Sequence, residues 1–494
     1  MAKEGRFKEA LKAYQTYLSR YKKQGKEREA AEYNVLVIRA HHEDVVIPEF
    51  QPKKSLSSSL KSSIQAFLKK YPRNPNRPFL LRVLSFRRGV STRDISSYRK
   101  YSRLSREERK LLDEAEMLIQ ARSGSTSVKK KLIKNNRPGR SYTELQKTAL
   151  GKTAYNFLAG DYRNYQQTKI SYTPSAFAKS LEKKLSRLEK LEKEYLKVVQ
   201  YGDREYSLLS LVRISEMYRT LANDIRKSPE NKKELEGFAA PLEQKANEFV
   251  KLCLDKATEL RLAGGSLSQC RKLNYEHKID RSYIHLVKAL KPQWLPSNYA
   301  KSKFKLLNLA SSSFKKTNFG SYLLAVNQMK RTGELRESYV EESVKNMQGL
   351  LDWRYSKGQL AERSFRQVAL DSGDKDLRRV AVKNLAALAL KVGDASTASD
   401  ILDEYRGPKD FEIELFRGVS KVASGQYKDA IGHLNTAYKN SRGSEAVALY
   451  NKALAQFALN QKSEAIKTMN LYLARARPSS GDISRTILRD WRKK

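Results

Sequence analysis

The sequence predicts an all-α fold, a superhelix of helical hairpins with longer irregular helices in the middle. Three observations predict it. The 494 residues include only 13 prolines and 23 glycines, and long runs rich in Lys, Glu, Leu and Ala favour helix over strand. No run of alternating β-branched residues with hairpin turns indicates a sheet. A short signature, a small residue followed five positions later by alanine, returns at a nearly constant interval.

The signature occurs three times in the last quarter of the chain. The copies are Gly393 with Ala398, Gly425 with Ala430, and Asn460 with Ala465. Glycine or asparagine tolerates the left-handed turn between two helices, and each alanine lies where the helices must approach closely. The alanines are 32 and 35 residues apart, close to the ~34 of a tetratricopeptide repeat. Gly418 fits the small position of a first helix in the same pattern.

The same signature opens the chain, where Gly5 precedes Ala10 in "EGRFKEALKAYQTYLSRY" (4–21). In a tetratricopeptide repeat this string belongs to the second helix. Its apolar stripe, which continues through Ala13, Tyr14 and Tyr17, would then be uncovered, whereas the ends of such arrays need a polar cap. We therefore expect either an upstream segment, with or without a signal sequence, or a partner that supplies the missing helix.

Composition shifts divide the chain into six predicted segments. They are 1–50 (partial repeat helices), 51–141 (basic helices with linkers), 142–270 (a central helical-repeat region), 271–370 (a helical connector), 371–478 (C-terminal repeats) and 479–494 (a basic tail). Ser-, Lys- or Pro-rich linkers are predicted at 51–63, 123–141 and 292–296. Leucines, tyrosine and valine at heptad-like spacing over 180–202 predict a long helix packed on its neighbours.

The charge is large and uneven. Lys and Arg number 97 against 54 Asp and Glu, a net charge of +43, which indicates anionic partners and says nothing of the fold. Residues 51–150 hold 25 basic and 7 acidic residues, whereas 371–450 hold 12 of each. One acid-free run supplies the candidate anion-binding residues Lys129, Lys130, Lys131, Lys134, Arg137 and Arg140. Nucleic acid, another anionic surface such as lipid head groups, and a basic composition without a role all remain open.

Candidate chemical sites are few. His41, His42, Glu43 and Asp44 resemble metal ligands, but adjacent helical residues diverge by ~100° and no second cluster completes a site, so a solvated helix end is expected. His277, His285 and His433 stand apart from one another. Cys253 and Cys270, 17 apart, form neither a disulfide framework nor a zinc motif. No phosphate loop or hydrolase motif occurs, so we expect no enzyme, no metal and no cofactor.

The segment from 191 to 260 is the most distinctive part of the chain. It reads "LEKEYLKVVQYGDREYSLLSLVRISEMYRTLANDI" and later "PLEQKANEFVKLCLDKATEL". It resembles the tetratricopeptide-repeat proteins of delta-proteobacterial cell-envelope and gliding-motility machinery over about 70 of the 494 residues. Tyr206 stands where that pattern has tryptophan, and Ser215 where it has glycine. The matching residues are Val198, Val199, Gly202, Tyr206, Arg213, Ile214, Tyr218, Ala222, Pro241, Leu242, Glu243, Lys245 and Ala246.

The resemblance implies a scaffold in a multi-protein assembly of the periplasm or cell envelope. Stacked repeats expose a concave groove, which would hold a partner helix or an extended peptide. The alternative is a solenoid that binds nucleic acid or another polyanion through 51–150. No stretch of ~18 consecutive apolar residues predicts a membrane span.

Overall fold

The computed structural model of the chain describes residues 7–23, 25–43, 55–229, 232–262, 265–276, 295, 303–355, 357–441, 446–479 and 482–493. It forms two compact units. The first consists of Met1–Ala239 and Ser297–Val344, and the second of Ala240–Pro296 and Lys345–Lys494. Within the described ranges, regular structure is helical throughout, and no helix is both long and apolar enough to cross a bilayer.

The helices of the first half of the chain are α1 (Phe7–Arg20), α2 (Lys26–His42), α3 (Ser58–Lys70), α4 (Arg77–Ser85), α5 (Thr92–Arg99), α6 (Arg106–Ser123), α7 (Thr126–Asn135), α8 (Glu144–Phe157), α9 (Ala159–Gln167), α10 (Pro174–Gln200) and α11 (Arg204–Arg226). They are followed by α12 (Lys232–Glu259) and α13 (Gly265–Glu276). In the first unit, the pairs α1 with α2 and α10 with α11 are among the neighbours that pack together.

The helices of the second half are α14 (Lys305–Lys315), α15 (Phe319–Thr332), α16 (Ser338–Arg354), α17 (Gly358–Asp371), α18 (Lys375–Val392), α19 (Ala395–Glu404), α20 (Phe411–Ala423), α21 (Tyr427–Asn440), α22 (Val447–Ala458), α23 (Lys462–Ala476) and α24 (Ile483–Lys493). From α17 to α24, every helix packs on the next one in sequence. The predicted all-α helical-repeat fold is confirmed.

Local sequence explains where many helices begin. Ser91, Ser105 and Thr143 each accept a hydrogen bond from the backbone of the third helical residue, whose own side chain accepts one from the cap backbone. This reciprocal arrangement satisfies two backbone N–H groups that would otherwise lack partners at a helix start.

The turns between hairpin helices follow the predicted signature. Gly393, Gly425 and Asn460 all adopt positive φ angles, of 95°, 75° and 61°. In this left-handed region a Cβ is costly, which explains the use of glycine twice and of asparagine, the side chain that tolerates it best. The three left-handed turns are confirmed.

The small residues of the signature lie where helices meet. Ala398, Ala430 and Ala465 are fully buried. At Gly418 an added Cβ would lie 2.5 Å from Cγ of Leu434, so α20 and α21 pack too closely there for any larger residue. Ala10 is also buried, within α1, while Gly5 lies outside the described residues.

Helix α1 is covered more than the sequence predicted. It packs on α2, which buries Phe7 and Ala10 and leaves Tyr14 and Tyr17 half-buried. Ala13 is exposed. The expectation that the whole stripe lacks a covering helix is therefore wrong for Ala10, and in part for Tyr14 and Tyr17.

Two predicted linkers and the predicted tail contain packed helices. Residues 58–63 belong to α3, where Leu60 is fully buried, and 126–135 form α7, where Leu132 is buried against Leu150 and Tyr201. In α7 Leu132 is the one buried side chain and Ile133 packs beside it, so this short helix docks without the complete apolar stripe that the sequence analysis required. The third predicted linker, 292–296, lies outside the described residues except for Leu295.

The segment predicted as a basic tail is also a helix. In α24, Ile487, Leu488 and Trp491 are buried against the last hairpin, and the Trp491 ring stacks on Phe457 with centroids 4.3 Å apart. The basic residues occupy the opposite face of an amphipathic helix.

The long central helix is confirmed. Leu188, Leu191, Tyr195 and Val198 form the buried face of α10, which packs on α11. The spacing of these residues, three or four apart, is that of one helix face against a neighbour.

Candidate functional site

An apolar cleft opens in the second unit between α17, α18 and α19. It encloses about 320 Å³, within the size range of sites that hold a side chain or a small ligand. Ala369, Val382, Ile401 and Tyr405 form buried parts of its wall.

The loop after α19 shapes one side of the cleft. Tyr405 is buried, and its hydroxyl has no hydrogen-bond partner within the described residues. A Cβ added at Gly407 would collide with that hydroxyl, so glycine is required for the loop to fold over the ring. Burial raises the pKa of Tyr405, which keeps the phenol neutral as a hydrogen-bond donor to anything that enters.

The opening of the cleft carries an exposed apolar side chain. Leu370 keeps 53 % of its surface exposed, and Pro408 is exposed opposite it. On α17 the buried stripe runs through Ala361, Phe365 and Val368, so Leu370 lies on the face that an amphipathic helix normally gives to polar residues. A leucine on the polar face of α17 is therefore the sequence signal for the cleft, and the prediction from sequence did not use it.

The rim is cationic. Lys375, Arg378 and Arg406 line the cleft with exposed side chains, against the single carboxylate of Glu404. None of these three cations has an ion-pair partner in the part of the chain that the structure describes.

Neighbouring carboxylates are already engaged by other cations. Asp376 accepts from Arg379 at 2.8 Å, and Asp410 is bound by Lys383. The rim therefore presents net positive charge around an apolar floor, an arrangement that fits an apolar side chain flanked by carboxylates.

The predicted anion-binding residues lie on α7 and in the turn after it. Lys130, Lys131, Lys134, Arg137 and Arg140 are exposed and Lys129 is half-exposed, and within the described ranges none of them is ion-paired. Their helix is anchored by Leu132 and by the hydroxyl of Tyr201, which donates to the Asn136 carbonyl at 2.8 Å. The six residues lie along one short helix and the turn that follows it, and they line no enclosed site in the described part of the chain.

Other basic residues of 51–150 are not surface residues. Arg77 is 2 % exposed and donates through Nε to Glu108 Oε1 at 3.0 Å, and Arg87 is also buried. The interleaved aromatic Tyr98 is fully buried. Part of the local excess of basic residues therefore lies in the core and is not presented to a partner.

The histidine cluster differs from the prediction. His41 is 1 % exposed, its Nδ1 lies 3.0 Å from the Gly320 carbonyl, and its ring stacks on Phe79. Burial lowers the pKa of His41 to about 4, so the ring is neutral near pH 7. The expected solvated helix end is correct for His42, which is exposed, and wrong for His41. Asp44 lies outside the described residues.

Of the remaining histidines, only one is described. His433 Nδ1 lies 2.8 Å from Glu414 Oε2, while His277 and His285 lie outside the described residues. Among the residues that are described, no group of three or more His, Cys, Asp or Glu side chains converges as metal ligands would.

The two cysteines are joined. Cys253 on α12 and Cys270 on α13 form a disulfide bond, with their Cα atoms 6.0 Å apart and both side chains fully buried. Two cysteines separated by 17 residues gave no sequence signature for this bond, because the pairing depends on how α13 folds back beside α12.

The fold places the chain in a class, the helical-repeat proteins. Compared with known proteins, the sequence matches no family model, and no curated protein is similar enough to count as a relative.

Proposed function

We propose that the protein is a non-catalytic scaffold of the tetratricopeptide-repeat type, which holds other proteins of a multi-protein assembly. The cleft between α17, α18 and α19 carries this proposal. Its apolar floor, exposed Leu370 and unpaired cationic rim suit an extended peptide or a helix that presents an apolar side chain between acidic residues.

The proposed location is the cell envelope. The buried disulfide between Cys253 and Cys270 supports it, because structural disulfides persist in oxidising compartments such as the periplasm and are rare in reducing ones. The resemblance of residues 191–260 to envelope scaffolds agrees with this location.

The test is capture of partners from native cells by the full-length tagged chain, with a matched pair of variants. Leu370→Asp places a carboxylate in the cleft, whereas Leu360→Asp makes the same change on the same helix, at a residue 47 % exposed that does not line the cleft. We expect envelope proteins to be captured by the wild type and by Leu360→Asp, and lost with Leu370→Asp. Equal capture by both variants would remove the cleft from the proposal.

Washing at low and high salt adds a second criterion. Contacts with the apolar floor survive high salt, since screening weakens only the charges of the rim. If only nucleic acid is recovered, and it is released as salt rises, the scaffold proposal fails.

A second candidate function is polyanion binding, favoured by the six cations of α7 and its following turn, of which five are exposed and Lys129 is half-exposed. Binding through them would fall steeply with salt, because each neutralised phosphate releases counterions. Charge reversal of Lys129, Lys130 and Lys131 should weaken binding to polynucleotide and flatten that salt dependence. The control reverses three exposed lysines of the charge-balanced region, Lys409, Lys428 and Lys439, and an equal loss in the control would show unspecific attraction.

A further inference from the structure

A polar cavity in the first unit is independent of the proposed scaffold function. It is an open cavity at the surface, of about 450 Å³, between α9 and the first half of α10, and most of the side chains that line it are exposed. The last turn of α9 and the residue after it contribute Asn164, Gln167 and Thr168. From α10 come Ser180, Lys183 and Arg187, whose spacing of three and four residues places them on one helix face.

The cavity is positively charged. Lys169, from the loop after α9, joins Lys183 and Arg187, and no carboxylate lines the cavity. Lys183 and Arg187 are four residues apart on one helix, a like-charge spacing that slightly destabilises the helix and that a bound anion would offset. The side chains of Asn164, Gln167, Thr168 and Ser180 add amide and hydroxyl donors to the same wall.

Asp224 of α11, which packs on α10, is already bound by other cations. It is bound by Lys184 at 2.5 Å and by Lys227 at 2.9 Å. Lys184 also donates to the Thr168 carbonyl at 2.8 Å, so it closes the end of α9 and turns its charge away from the cavity.

Arg187 has a structural role that accounts for part of its position. Its Nη1 donates to the Thr168 hydroxyl and, at 3.5 Å, to the Asn164 carbonyl, which ties α10 to the end of α9. These bonds place the guanidinium at the wall and leave Nε and Nη2 without a partner among the described residues. No comparable role exists for Lys169 or Lys183, which have no partner within the described ranges.

A second, smaller cavity of about 170 Å³ adjoins the first and shares Asn164 and Arg187 with it. Its lining differs in character. Leu158 and Leu191 supply apolar surface, Asp161 and Glu194 supply carboxylates, and Lys190 supplies a cation beside Arg187. Glu194 also accepts from Lys197 at 2.7 Å and keeps its second carboxylate oxygen for a ligand, whereas Asp161 has no ion-pair partner in the described ranges. Carboxylates accept hydrogen bonds from hydroxyl groups, and apolar side chains pack on the C–H faces of a sugar ring.

We propose that the paired cavities between α9 and α10 bind a phosphorylated sugar. The phosphate lies between Lys169, Lys183 and Arg187, and the ring extends past Arg187, where its hydroxyl groups donate to Asp161 and Glu194. This orientation follows from the charges of the two linings. The first cavity holds three cations and no carboxylate, which favours the phosphate, whereas in the second Arg187 and Lys190 are balanced by Asp161 and Glu194. Such a group occurs free or as the head group of a lipid.

The experiment is calorimetric titration of the full-length chain with glucose 6-phosphate, inorganic phosphate and glucose. We expect glucose 6-phosphate to bind more tightly than either of the other two. The double variant Lys169→Gln with Lys183→Gln should weaken that binding by about tenfold or more, since it removes two charge-assisted contacts. A control with the same loss of charge, Lys179→Gln with Lys193→Gln, changes exposed lysines of α10 outside both cavities and should bind like the wild type.

The variant Asp161→Asn tests the ring separately. It should reduce the preference for glucose 6-phosphate over inorganic phosphate while leaving phosphate binding unchanged or stronger. The proposal is overturned if no saturable binding occurs, if the control loses as much affinity as the double variant, or if phosphate binds as tightly as glucose 6-phosphate.

Vesicles of zwitterionic lipid, with and without a glycolipid that carries a phosphorylated sugar head group, identify the source of the ligand. Binding to the doped vesicles that glucose 6-phosphate displaces supports the lipid source, and binding of glucose 6-phosphate alone supports the free sugar. Equal binding to plain and doped vesicles that the double variant does not reduce contradicts recognition by this site.

Discussion

Two regions of the molecule bring helices together by different means. In the hairpins from α18 to α23 the residues at the helix contacts are small, with Ala398, Ala430 and Gly418 where the helices come closest. In α8 to α11 the side chains at the helix contacts are large and end in a polar group. Tyr165 donates to the Met217 carbonyl at 2.6 Å, and Tyr162 donates to Glu216 at 2.7 Å.

This difference decides how visible each region is in the sequence. Small residues permit the same close packing in every hairpin, so the same letters return at a fixed interval. A tyrosine fills a gap whose size and hydrogen-bond acceptor are set by one particular neighbour, so its position does not repeat. The tyrosine-rich region is accordingly held by specific polar contacts, and the hairpins by shape. The changes below test that distinction, from the largest expected effect to the smallest.

The strongest test is loss of a buried charge in the first unit. Glu108 pairs with buried Arg77 and also accepts from the Ser105 backbone N–H at 2.7 Å. Replacing Glu108 with Ala should lower the free energy of unfolding by about 3–5 kcal/mol, because Arg77 is left buried without its counter-ion. Asp113→Ala removes a partner of the exposed Arg99 and should cost about 1 kcal/mol or less. Denaturant titration of both variants measures the two losses in the free energy of unfolding, and the loss for Glu108→Ala should be several times larger.

His41 makes the stability of the first unit depend on pH. Its pKa is lowered by burial from 6.5 to about 4, so between these values the unfolded chain binds a proton that the folded protein does not. Stability should therefore fall as pH falls through this window, by up to about 3 kcal/mol at its lower end. In His41→Asn, an amide replaces the ring donor and this contribution disappears. Urea titrations at pH 7 and 4.5 would disprove the assignment if both proteins lost equal stability.

Shape-based packing is tested by two helical glycines on facing helices. Gly418→Ala introduces a Cβ against Leu434 and should destabilise the protein by about 1–3 kcal/mol. At Gly432, by contrast, nothing lies within 4 Å of an added Cβ, so Gly432→Ala should be neutral or stabilise α21 by up to about 1 kcal/mol. Thermal unfolding compares the two variants. Equal midpoints for Gly418→Ala and Gly432→Ala would contradict the view that this hairpin depends on the close approach of its helices.

The smallest expected effect distinguishes a buried tyrosine whose hydroxyl is hydrogen-bonded from one whose hydroxyl has no partner among the described residues. Tyr165→Phe removes a buried hydrogen bond and should cost about 1 kcal/mol. Tyr405→Phe removes a buried hydroxyl that has no partner in the described part of the chain, and should be neutral or slightly stabilising. Chemical denaturation measured on both variants would contradict the comparison if the two changes had the same sign and size.

Much of the hairpin architecture could be predicted from the sequence, because it depends on local rules. A left-handed turn needs Gly393, Gly425 or Asn460, and a close approach needs an alanine five residues later. The packed helices α7 and α24 were missed because a short helix can dock through as few as one to three apolar residues.

The disulfide and the burial of His41 could not be predicted, since each depends on how two separate helices pack, whereas the exposed Leu370 was a sequence signal for the cleft. His41 meets Gly320 across 279 positions, and nothing near His41 signals that partner. The basic run of 128–140 was found by composition alone, whereas the cavity at Lys169, Lys183 and Arg187 needed the packing of two helices to appear.

The bond between Cys253 and Cys270 also changes what a broken backbone would mean for this chain. A single cut anywhere between these residues divides the polypeptide, yet the two pieces remain one covalent molecule. They would migrate together on a gel until a reductant separates them. Helices α12 and α13 are thus connected twice, once through the backbone and once through the disulfide. Either connection alone keeps the two helices in one covalent molecule.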